Sequence, residues 1–509
     1  MILHALPLVA LLFQVRPVHG VRISVVGKDT WHSSSNDENL HGRQTKTASL
    51  ANIGNTQYAT NITIGGKPFT VSIDTGSSDL WVAADVPTAT QTTLTAELDY
   101  AIGSVQGSIQ FAETTFAGLT VPKQAFLSVK PDAVKNMTND GTKGLIGIGP
   151  SSSSVVRKKL ADASGNPFLD NVFRLNTTTP NIMTVQLSRD GDTGSKVRGL
   201  FTIGEVNDDF EKIVNMPRLP VVVLPSSRSD TQHWTTLIDG FIGPNGKNLS
   251  IHSSTPGIPN GKLSAVYDTG FTFPQVPKPL SDAIYQQVPG SIFDSDAGFW
   301  ILPCDQEVNL TVVIGNQKYP IHPWDTSMKL KLNGTPQRCY GAFQPITSAQ
   351  DGTFDLILGM AFLRNAYMLV NFGDFVDGNL EHQGDPYMQL LSVTDPAEAH
   401  QDFVNGRLEG VDTTASQTRF NTTVIDNIVP PPEDNKGKKF FSKNWPYFVG
   451  AALVGFTLIF SGCIWSMMRK RRRGAGPYRP LNDPAPAEAV EVREAYSSPD
   501  GRRSSPLQE

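Results

Sequence analysis

The sequence has few cysteines, few histidines and no large excess of charge of either sign. Its three cysteines allow at most one intrachain disulfide. Its nine histidines form no His-Glu-x-x-His, and no Gly-x-Ser-x-Gly occurs, so a zinc peptidase or a serine hydrolase has no support. The formal net charge of −5 gives no reason to expect nucleic acid as a partner. We therefore expect no metal, no cofactor and no nucleic acid.

Length and composition favour a β-rich protein with more than one core of ordinary domain size. The chain has 509 residues, which is more than a single domain usually needs. Its 44 glycines and 36 prolines, with many short runs rich in Val, Ile and Thr, are typical of strands joined by turns. Long helices are not expected in the main body of the chain.

The first 20 residues predict a secretory signal peptide. Residues 2–15 are mostly apolar but too few to span a bilayer, and small residues follow at plausible cleavage positions. The alternative is a buried N-terminal strand. Residues 21–50 are polar and rich in Ser and Asn, and they predict a flexible leader.

A second apolar segment, residues 445–468, contains no charged residue and predicts a transmembrane helix. Such a helix would be about 36 Å long, enough to cross a membrane. A basic run, residues 469–473, follows it and favours the cytoplasmic side. A polar tail, residues 469–509, continues beyond the span, whereas a glycolipid-anchor signal should end with its hydrophobic tail. The sequence thus predicts a single-pass type I membrane protein with a cytoplasmic tail.

Glycosylation sequons support the same topology. Seven Asn-x-Ser/Thr sequons precede the predicted span and none follows it. Residues 396–444, which include Pro430-Pro431-Pro432, predict a stalk between the body and the membrane. We expect a lumenal or extracellular body at the plasma membrane or at an endosomal or vacuolar membrane. The candidate glycosylation sites are Asn61, Asn136, Asn176, Asn248, Asn309, Asn333 and Asn421.

Two copies of Asp-Thr-Gly carry most of the functional information. Residues 74–76 and residues 268–270 each follow a short apolar strand, residues 69–73 and 263–267 respectively, which indicates an internal duplication. Two carboxylates brought close together cannot both ionise readily, so they share a proton. One can then act as a general base while the other acts as a general acid.

The ordered set of motifs resembles the pepsin-like aspartic proteases over residues 58–393. Residues 74–81, DTGSSDLW, match the first active-site signature of that family, and residues 100–104 resemble its flap hairpin. Residues 145–147 and 357–359 are similar to the apolar-apolar-Gly strands that pass beneath its two aspartates. The resemblance implies a mostly-β, bilobal fold with few short helices and an active-site cleft between two lobes related by a pseudo-two-fold axis. The expected lobes are residues 51–207 and 208–395.

The resemblance also implies a role for each residue of the site. Asp74 and Asp268 would hold a water molecule, which the ionised carboxylate activates while the protonated one donates to the peptide carbonyl. The threonines would bond across to the opposite lobe, the glycines would allow close backbone approach, Ser77 would donate to Asp74, and the flap tyrosine would close over the substrate beside an indole. These supporting residues are Thr75, Gly76, Ser77, Trp81, Tyr100, Thr269 and Gly270.

Phe271 departs from the family pattern, because Ser or Thr usually follows the second Asp-Thr-Gly. Phenylalanine has no hydroxyl to donate to Asp268. The expected function is acid-pH cleavage of peptide bonds by an aspartic endopeptidase; the alternative is a catalytically impaired homologue that binds peptides or proteins in the cleft. If the enzyme is active, the missing donor predicts an acidic limb of the pH–rate profile at higher pH, unless Phe271 merely packs.

The family resemblance leads to three further expectations. It implies a disulfide between Cys304 and Cys339, which an oxidising compartment also favours. Residues 21–50 would correspond to an inhibitory prosegment, although a plain leader explains them equally well. Peptides or proteins would be the substrates of a monomeric catalytic unit.

Overall fold

A computed structural model of the protein describes residues 47–53, 55–100, 103–134, 141–176, 179–190, 199–295, 298–330, 337–346, 352–373, 376 and 384–417. All of them belong to the first of the two units into which the chain divides, Met1–Val429. The predicted signal peptide, membrane span and cytoplasmic tail lie outside the described residues, as do the sequons at Asn136, Asn333 and Asn421. Within the described ranges, no helix is long and apolar enough to cross a membrane.

Strands dominate the described chain. In order they are β1 (Thr47–Ile53), β2 (Gln57–Ile64), β3 (Lys67–Asp74), β4 (Leu80–Val82), β5 (Thr90–Tyr100), β6 (Gly103–Phe116), β7 (Leu119–Val129), β8 (Gly144–Gly147), β9 (Ile182–Gln186), β10 (Gly199–Ile203), β11 (Leu219–Pro220), β12 (Thr235–Ile238), β13 (Gly240–Ile242), β14 (Asn248–Leu249), β15 (Leu263–Tyr267), β16 (Gln275–Val276), β17 (Ile292–Asp294), β18 (Phe299–Leu302), β19 (Leu310–Ile314), β20 (Gln317–Ile321), β21 (Ser327–Leu330), β22 (Arg338–Gly341), β23 (Gln344–Pro345), β24 (Leu356–Leu358), β25 (Ala366–Asn371) and β26 (Tyr387–Ser392).

The helices are short and connect or cover the strands. The α-helices are α1 (Val155–Leu160), α2 (Phe168–Leu175), α3 (Lys278–Tyr285), α4 (Pro323–Thr326), α5 (Met360–Leu363) and α6 (Pro396–Arg407). Single 3₁₀ segments cover Pro131–Val134, Ser151–Ser153, Ala163–Gly165, Asp208–Asn215, Ser226–Thr231 and Thr414–Ser416. The expectation of a mostly-β protein with few short helices is confirmed.

The strands form one large sheet and three small ones in the described chain. The large sheet has 13 strands in the order β11-β26-β25-β9-β10-β1-β2-β3-β8-β4-β7-β6-β5. A five-stranded sheet runs β12-β15-β24-β16-β23, and two four-stranded sheets run β14-β13-β19-β20 and β17-β18-β22-β21. The first Asp-Thr-Gly therefore follows a strand of the 13-stranded sheet, and the second follows a strand of the five-stranded sheet.

The same strand pattern occurs twice, once around each aspartate. In what we call the Asp74 motif, β3 pairs parallel with β8, β8 pairs antiparallel with β4, and β4 pairs parallel with β7. In the Asp268 motif, β15 pairs parallel with β24, β24 pairs antiparallel with β16, and β16 pairs parallel with β23. Each strand has its counterpart in the same order, so the internal duplication read from two tripeptides extends to the backbone pairing.

Burial explains why the two strands that lead to the aspartates are so firmly placed. In β3, Phe69, Val71 and Ile73 alternate with less buried residues, so one face of the strand packs on the core. All five residues of β15 are buried, which is the pattern of a strand covered on both faces. Packing therefore fixes the position of each strand, and with it the position of the aspartate at its end.

At both ends of the described body, secondary structure extends past the predicted lobe boundaries. Strand β1 begins at Thr47, inside the predicted leader, and pairs with both β2 and β10. At the other end, helix α6 and the residues up to 417 occupy part of the predicted stalk. Asp395 caps α6 by accepting hydrogen bonds from the backbone of Ala397 and Glu398.

Helix α6 docks on the region that contains the disulfide. Phe403 and Val404 are buried, and the Arg407 guanidinium donates to Cys339 Sγ at 2.6 Å and to the Ser327 carbonyl at 2.9 Å. His400 Nδ1 lies 2.9 Å from a Glu307 carboxylate oxygen. The chain up to residue 417 is thus packed against the body instead of forming an extended stalk. The rest of the predicted stalk lies outside the described residues.

A buried ion cluster joins segments that are distant in sequence. Arg189 and Arg364 both pair with the carboxylate of Asp325, and Asn365 donates to it at 2.9 Å. Burial alone would raise the pKa of Asp325, but the two guanidinium groups hold it at about 2. Arg364 also donates to the backbone carbonyl of Asn55, at 2.9 Å. The low pKa keeps the Asp325 carboxylate charged in mild acid, and the cluster ties Asn55, just before β2, to the second half of the chain.

Candidate active site

The two aspartates leave equivalent strand ends and meet with nearly complete burial. Asp74 pairs in register with Gly147 of β8, while the backbone N–H of Asp268 donates to Leu358, the last residue of β24. Their exposed fractions are 5% and 6%. The Asp268 carboxyl group is hydrogen-bonded to that of Asp74. The structure therefore brings the two predicted acids together.

The neighbouring threonines hold the two motifs together through reciprocal hydrogen bonds. The backbone N–H of Thr75 donates to Thr269 Oγ1, and the N–H of Thr269 donates to Thr75 Oγ1, both at 3.0 Å. Thr75 Oγ1 in turn donates to the carbonyl of Tyr267 at 2.8 Å, and Thr269 Oγ1 donates to that of Ile73 at 2.9 Å. Both threonines are fully buried. This exchange sets the separation of the two loops, as the resemblance implied.

The two glycines lie directly against the opposite carboxyl groups. A Cβ atom on Gly76 would be 2.1 Å from Asp268 Oδ2, and one on Gly270 would be 2.6 Å from Asp74 Oδ1. Their backbone N–H groups donate to their own aspartates, Gly76 to Asp74 Oδ1 at 2.8 Å and Gly270 to Asp268 Oδ1 at 2.6 Å. Neither position has room for a side chain, because the space is taken by the partner carboxylate.

The hydrogen-bond donors around the two carboxyl groups are not the same. Ser77 Oγ donates to Asp74 Oδ2 at 2.5 Å, in addition to the Gly76 N–H. Asp268 receives backbone N–H groups from Gly270 and Phe271 instead. Burial and the nearby charge of Asp74 raise the pKa of Asp268 well above its usual range, against the effect of those two donors. The geometry thus favours a proton on Asp268.

Phe271 contacts Asp268 through its backbone N–H. Its ring is only half-buried, and its carbonyl accepts from the Met360 N–H at 2.7 Å. The following residue, Thr272, donates from its hydroxyl to the Thr56 carbonyl at 2.8 Å. The loop is therefore anchored on both sides of Phe271, and the substitution leaves the aspartate held by main-chain donors.

The predicted flap is a β-hairpin over the first aspartate. Strands β5 and β6 pair with Tyr100 opposite Gly103, while residues 101 and 102 lie outside the described chain. Trp81 Nε1 donates to the Tyr100 hydroxyl at 3.0 Å, and that hydroxyl is also hydrogen-bonded to Ser77. Because the Ser77 proton points to Asp74, Tyr100 must donate to Ser77. A chain of donors thus runs from Trp81 through Tyr100 and Ser77 to Asp74.

The tyrosine in this chain stays protonated. Burial raises the pKa of Tyr100 well above its usual range, and the charge of Asp74 adds to the rise. The phenol is therefore a permanent hydrogen-bond donor in the acid range, so the orientation of the chain does not change with pH there.

Sequence reasoning missed His233, which reaches the site from a distant part of the chain. Its Nδ1 lies 3.0 Å from the carbonyl oxygen of Gly76, and burial lowers the pKa of the ring. The adjacent Trp234 is fully buried, and its Nε1 donates to the Ile148 carbonyl at 3.0 Å. A usable signal existed, since a His-Trp pair immediately precedes strand β12, which lies beside the strand leading to Asp268.

Asp79, within the DTGSSDLW signature, has a structural role that the sequence did not reveal. Its carboxylate accepts from Ser154 Oγ at 2.5 Å and from the backbone N–H groups of Val155 and Val156 at 2.8 and 3.2 Å. It thereby binds the N-terminus of α1 to the loop that follows Asp74. Burial raises the pKa of Asp79.

The disulfide forms as expected, and four of the sequons can be located. Cys304 and Cys339 are bonded, with Cα atoms 5.2 Å apart. Asn61, Asn248 and Asn309 are exposed to solvent, while Asn176 is half-buried at the end of α2. Exposure makes the first three sterically accessible to a glycan; whether they carry one stays a prediction.

Comparison with known proteins gives one family. The family model described as "Eukaryotic aspartyl protease" matches residues 57–375. The chain is 26% identical to "Major aspartyl peptidase 1" of Cryptococcus neoformans var. grubii over 381 residues, which cover 68% of this chain and 74% of the relative. It is 28% identical to a "Probable aspartic-type endopeptidase" of Trichophyton verrucosum, covering 62% and 74% of the two chains. It is 26% identical to "Polyporopepsin" of Irpex lacteus, covering 61% and 89%.

Proposed function

Because the chain belongs to the eukaryotic aspartyl proteases and is an aspartic-type endopeptidase, we propose that Asp74 is the general base and Asp268 the general acid of its acid-pH reaction. The observation that carries this assignment is the unequal set of donors. Asp74 has the Ser77 hydroxyl and the Gly76 N–H, which favour its ionised form. Asp268 has a raised pKa and lies within hydrogen-bonding reach of Asp74.

The reaction follows from these two protonation states. Asp74 takes a proton from a water molecule as the water oxygen bonds to the peptide carbonyl carbon, and Asp268 gives its proton to the carbonyl oxygen. The tetrahedral diol then collapses: Asp74 gives its proton to the leaving nitrogen, the carbon–nitrogen bond breaks, and Asp268 recovers a proton from a diol hydroxyl. The dyad returns to its starting state after each turnover.

The dyad is tested by replacing each aspartate with asparagine in the full-length protein. Asp74→Asn and Asp268→Asn should each lower kcat/KM for an apolar peptide at acid pH by at least about 100- to 10,000-fold, because neither acid can do both tasks. Thermal unfolding should show that the fold persists. Asp85→Asn, at an exposed position, is the matched control and should keep full activity. Activity in either dyad variant would contradict the assignment.

The second candidate is a catalytically impaired homologue that binds peptides or proteins in its cleft, and Phe271 is the observation that favours it. The same assay separates the two candidates. An impaired homologue would bind pepstatin, the transition-state mimic of this family, without cleaving any peptide across the acid range. An active enzyme would cleave peptides and lose that activity when pepstatin is added.

The proposal includes a membrane-tethered, two-lobed architecture, supported by the sequence and by the repeated strand motifs. A signal peptide over residues 1–20 and a span over residues 445–468 would leave a glycosylated, monomeric catalytic unit in the lumen or outside the cell. The membrane would be the plasma membrane or an endosomal or vacuolar one. A C-terminal tag should resist protease added to intact cells, and glycosidase should reduce the apparent mass. Release by a phospholipase that cuts glycolipid anchors would overturn this topology.

A further inference from the structure

His233 offers a hydrogen-bonding atom beside the dyad that the proposed reaction does not use. A carbonyl oxygen can only accept, so the 3.0 Å contact between His233 Nδ1 and Gly76 O requires the proton on Nδ1. In the neutral ring, Nε2 is then an acceptor. The tautomer is fixed by the protein, not chosen by the ligand.

The Nε2 atom is neither paired nor fully buried among the described residues. It makes no hydrogen bond to the described part of the chain, and it is not one of the fully buried polar atoms without a partner. The ring as a whole is half-buried, with the Phe354 ring set edge-on to it at a centroid distance of 5.9 Å. One nitrogen therefore supports the Gly76 carbonyl, and the other has no partner among the described residues.

The ring lies next to the reacting groups. Gly76, whose carbonyl it holds, donates from its N–H to Asp74 and lies against the Asp268 carboxyl. The charge of Asp74 acts on the imidazole directly. Of the other neighbours, Phe354 faces the ring with an uncharged side chain, and Arg228, in the preceding 3₁₀ segment, donates to the Gly352 carbonyl.

The other motif has no such group. Ala59 of β2 pairs with the residue two before Asp74, as Thr235 of β12 pairs with the residue two before Asp268. Gln57 therefore corresponds to His233. Its amide nitrogen bonds to the hydroxyls of Ser72 and Thr142 and not to Gly270. The Gln57 side-chain oxygen also lacks a hydrogen-bond partner, but it is fully buried, whereas His233 Nε2 is not among the fully buried atoms of the described residues.

We propose that His233 is a specificity-determining residue, an inference that rests on the proposed function. Its Nε2 accepts a hydrogen bond from a substrate side chain within two residues of the scissile bond. The preferred side chains are neutral donors, namely Ser, Thr, Asn and Gln. Burial lowers the pKa of His233, so the acceptor form persists into mild acid. At lower pH the protonated ring becomes a donor at Nε2 and favours Asp or Glu instead.

The experiment uses pairs of peptides that differ at one position in a donor group while keeping shape. Thr is compared with Val, and Asn with Asp, at each of the four positions nearest the scissile bond, with the full-length protein. At one position kcat/KM should favour Thr over Val by about three- to tenfold, the usual effect of one hydrogen bond. The Asn-to-Asp ratio at that position should fall as the pH is lowered.

Two variants test whether His233 is the cause. His233→Asn keeps an amide donor for the Gly76 carbonyl but removes the outer nitrogen, and His233→Phe keeps the ring size but removes both nitrogens. In each, the Thr-to-Val ratio should fall to about one, and the Asn-to-Asp ratio should keep only the pH dependence that ionisation of the peptide's own Asp causes. Because the readout is a ratio, a general loss of activity cancels.

The outcomes separate this inference from the proposed function. If the wild type cleaves the Val peptides but shows no Thr preference at any position, the inference is wrong and the endopeptidase assignment stands. A preference that persists in both variants also overturns it, since another residue would then be responsible. If no peptide is cleaved at any acid pH, the proposed function fails and this inference fails with it.

Discussion

The Asp74 motif and the Asp268 motif share a backbone but not a set of donors. Both have a parallel, an antiparallel and a second parallel strand pairing in the same order. Yet Asp74 is held by a serine hydroxyl linked to the flap, and Asp268 by main-chain N–H groups alone among the described donors. The scaffold is repeated, whereas the hydrogen-bond donors around the two carboxyl groups differ between the copies.

This difference is the basis of the opposite roles that we propose for the two acids. A carboxyl group with hydroxyl and N–H donors is stabilised when ionised, and one that is desolvated beside a charge is stabilised when protonated. The threonine exchange contributes equally to both sides, so it fixes geometry without favouring either acid. The difference in donors between Asp74 and Asp268 comes from positions 77 and 271 and from the flap. Each of these can be altered separately.

The largest effect is expected from filling the space between the motifs. Gly76→Ala and Gly270→Ala would place a methyl group 2.1 Å and 2.6 Å from the opposite carboxyl group, so one acid must shift in each case. A misplacement of about 1 Å can cost about 100-fold in rate, and we expect kcat/KM to fall by at least that factor, more for Gly76→Ala.

A matched control for the glycine variants lies in an exposed turn. Gly246→Ala adds a methyl group with no atom within 4 Å, so it should keep kcat/KM even if its positive φ costs some stability. Steady-state kinetics and thermal unfolding of the three variants make the comparison. Full activity in Gly270→Ala would show that the two carboxyl groups are not held as tightly as the structure indicates.

An intermediate effect is expected on the pH–rate profile. The proposed reaction requires Asp74 ionised and Asp268 protonated. Activity is therefore lost at low pH, where Asp74 becomes protonated, and at higher pH, where Asp268 ionises. Phe271→Ser adds a donor that favours ionised Asp268, lowers its pKa and moves the alkaline limb down by about one pH unit. The sequence alone predicts an effect of Phe271 on the acidic limb; with Asp268 as the proposed general acid, the effect is expected on the alkaline limb instead.

The reciprocal change, removal of a donor from Asp74, tests the opposite limb of the pH–rate profile. Ser77→Ala removes the hydroxyl that favours ionised Asp74, so the acidic limb should move up while the alkaline limb changes little. Phe271→Leu is the control, because it alters packing without adding a donor. Profiles of kcat/KM against pH for the three variants would decide the matter, and identical limbs in Phe271→Ser and Phe271→Leu would mean that position 271 only packs.

The smallest effect is expected at the flap, which only the Asp74 motif has among the described strands. Tyr100→Phe removes the hydroxyl that links Trp81 to Ser77 and leaves the ring in place. Loss of one hydrogen bond corresponds to about 1 kcal/mol, or about fivefold in kcat/KM. Combining it with Ser77→Ala should then add little, because both act on the same chain of donors. Strictly additive effects would show that the two hydroxyls act independently.

Sequence reasoning succeeded where the signal is local. The strands ending at Asp74 and Asp268, the flap hairpin and the disulfide all follow from short patterns or from the resemblance, and they are present as expected. It failed where partners are distant. His233 contacts Gly76 across a sequence separation of 157 residues. The His-Trp pair before β12 points to the site only once β12 is known to lie beside the strand that leads to Asp268. The donors of Asp268 include the backbone of Phe271, which side-chain identity does not reveal.

The missed ends of the body have a similar explanation. Helix α6 buries only Ala399, Phe403 and Val404, so its apolar periodicity is too weak to distinguish it from a polar linker. What keeps it in place is tertiary: the cap at Asp395 and the guanidinium of Arg407 at the disulfide. Weak periodicity is thus a poor guide to where a compact body ends.

The docking of α6 sets where this catalytic body can be cut. A truncation after residue 395 would remove the buried Phe403 and Val404 and leave the disulfide region without its guanidinium partner, although it would spare every residue of the dyad. Gln417, the last described residue, still donates to the Asp305 carbonyl at 2.6 Å and accepts from the Glu307 N–H at 3.2 Å. The packed body therefore extends at least to residue 417, and a truncated form that is meant to fold like the full chain should keep the residues up to that point.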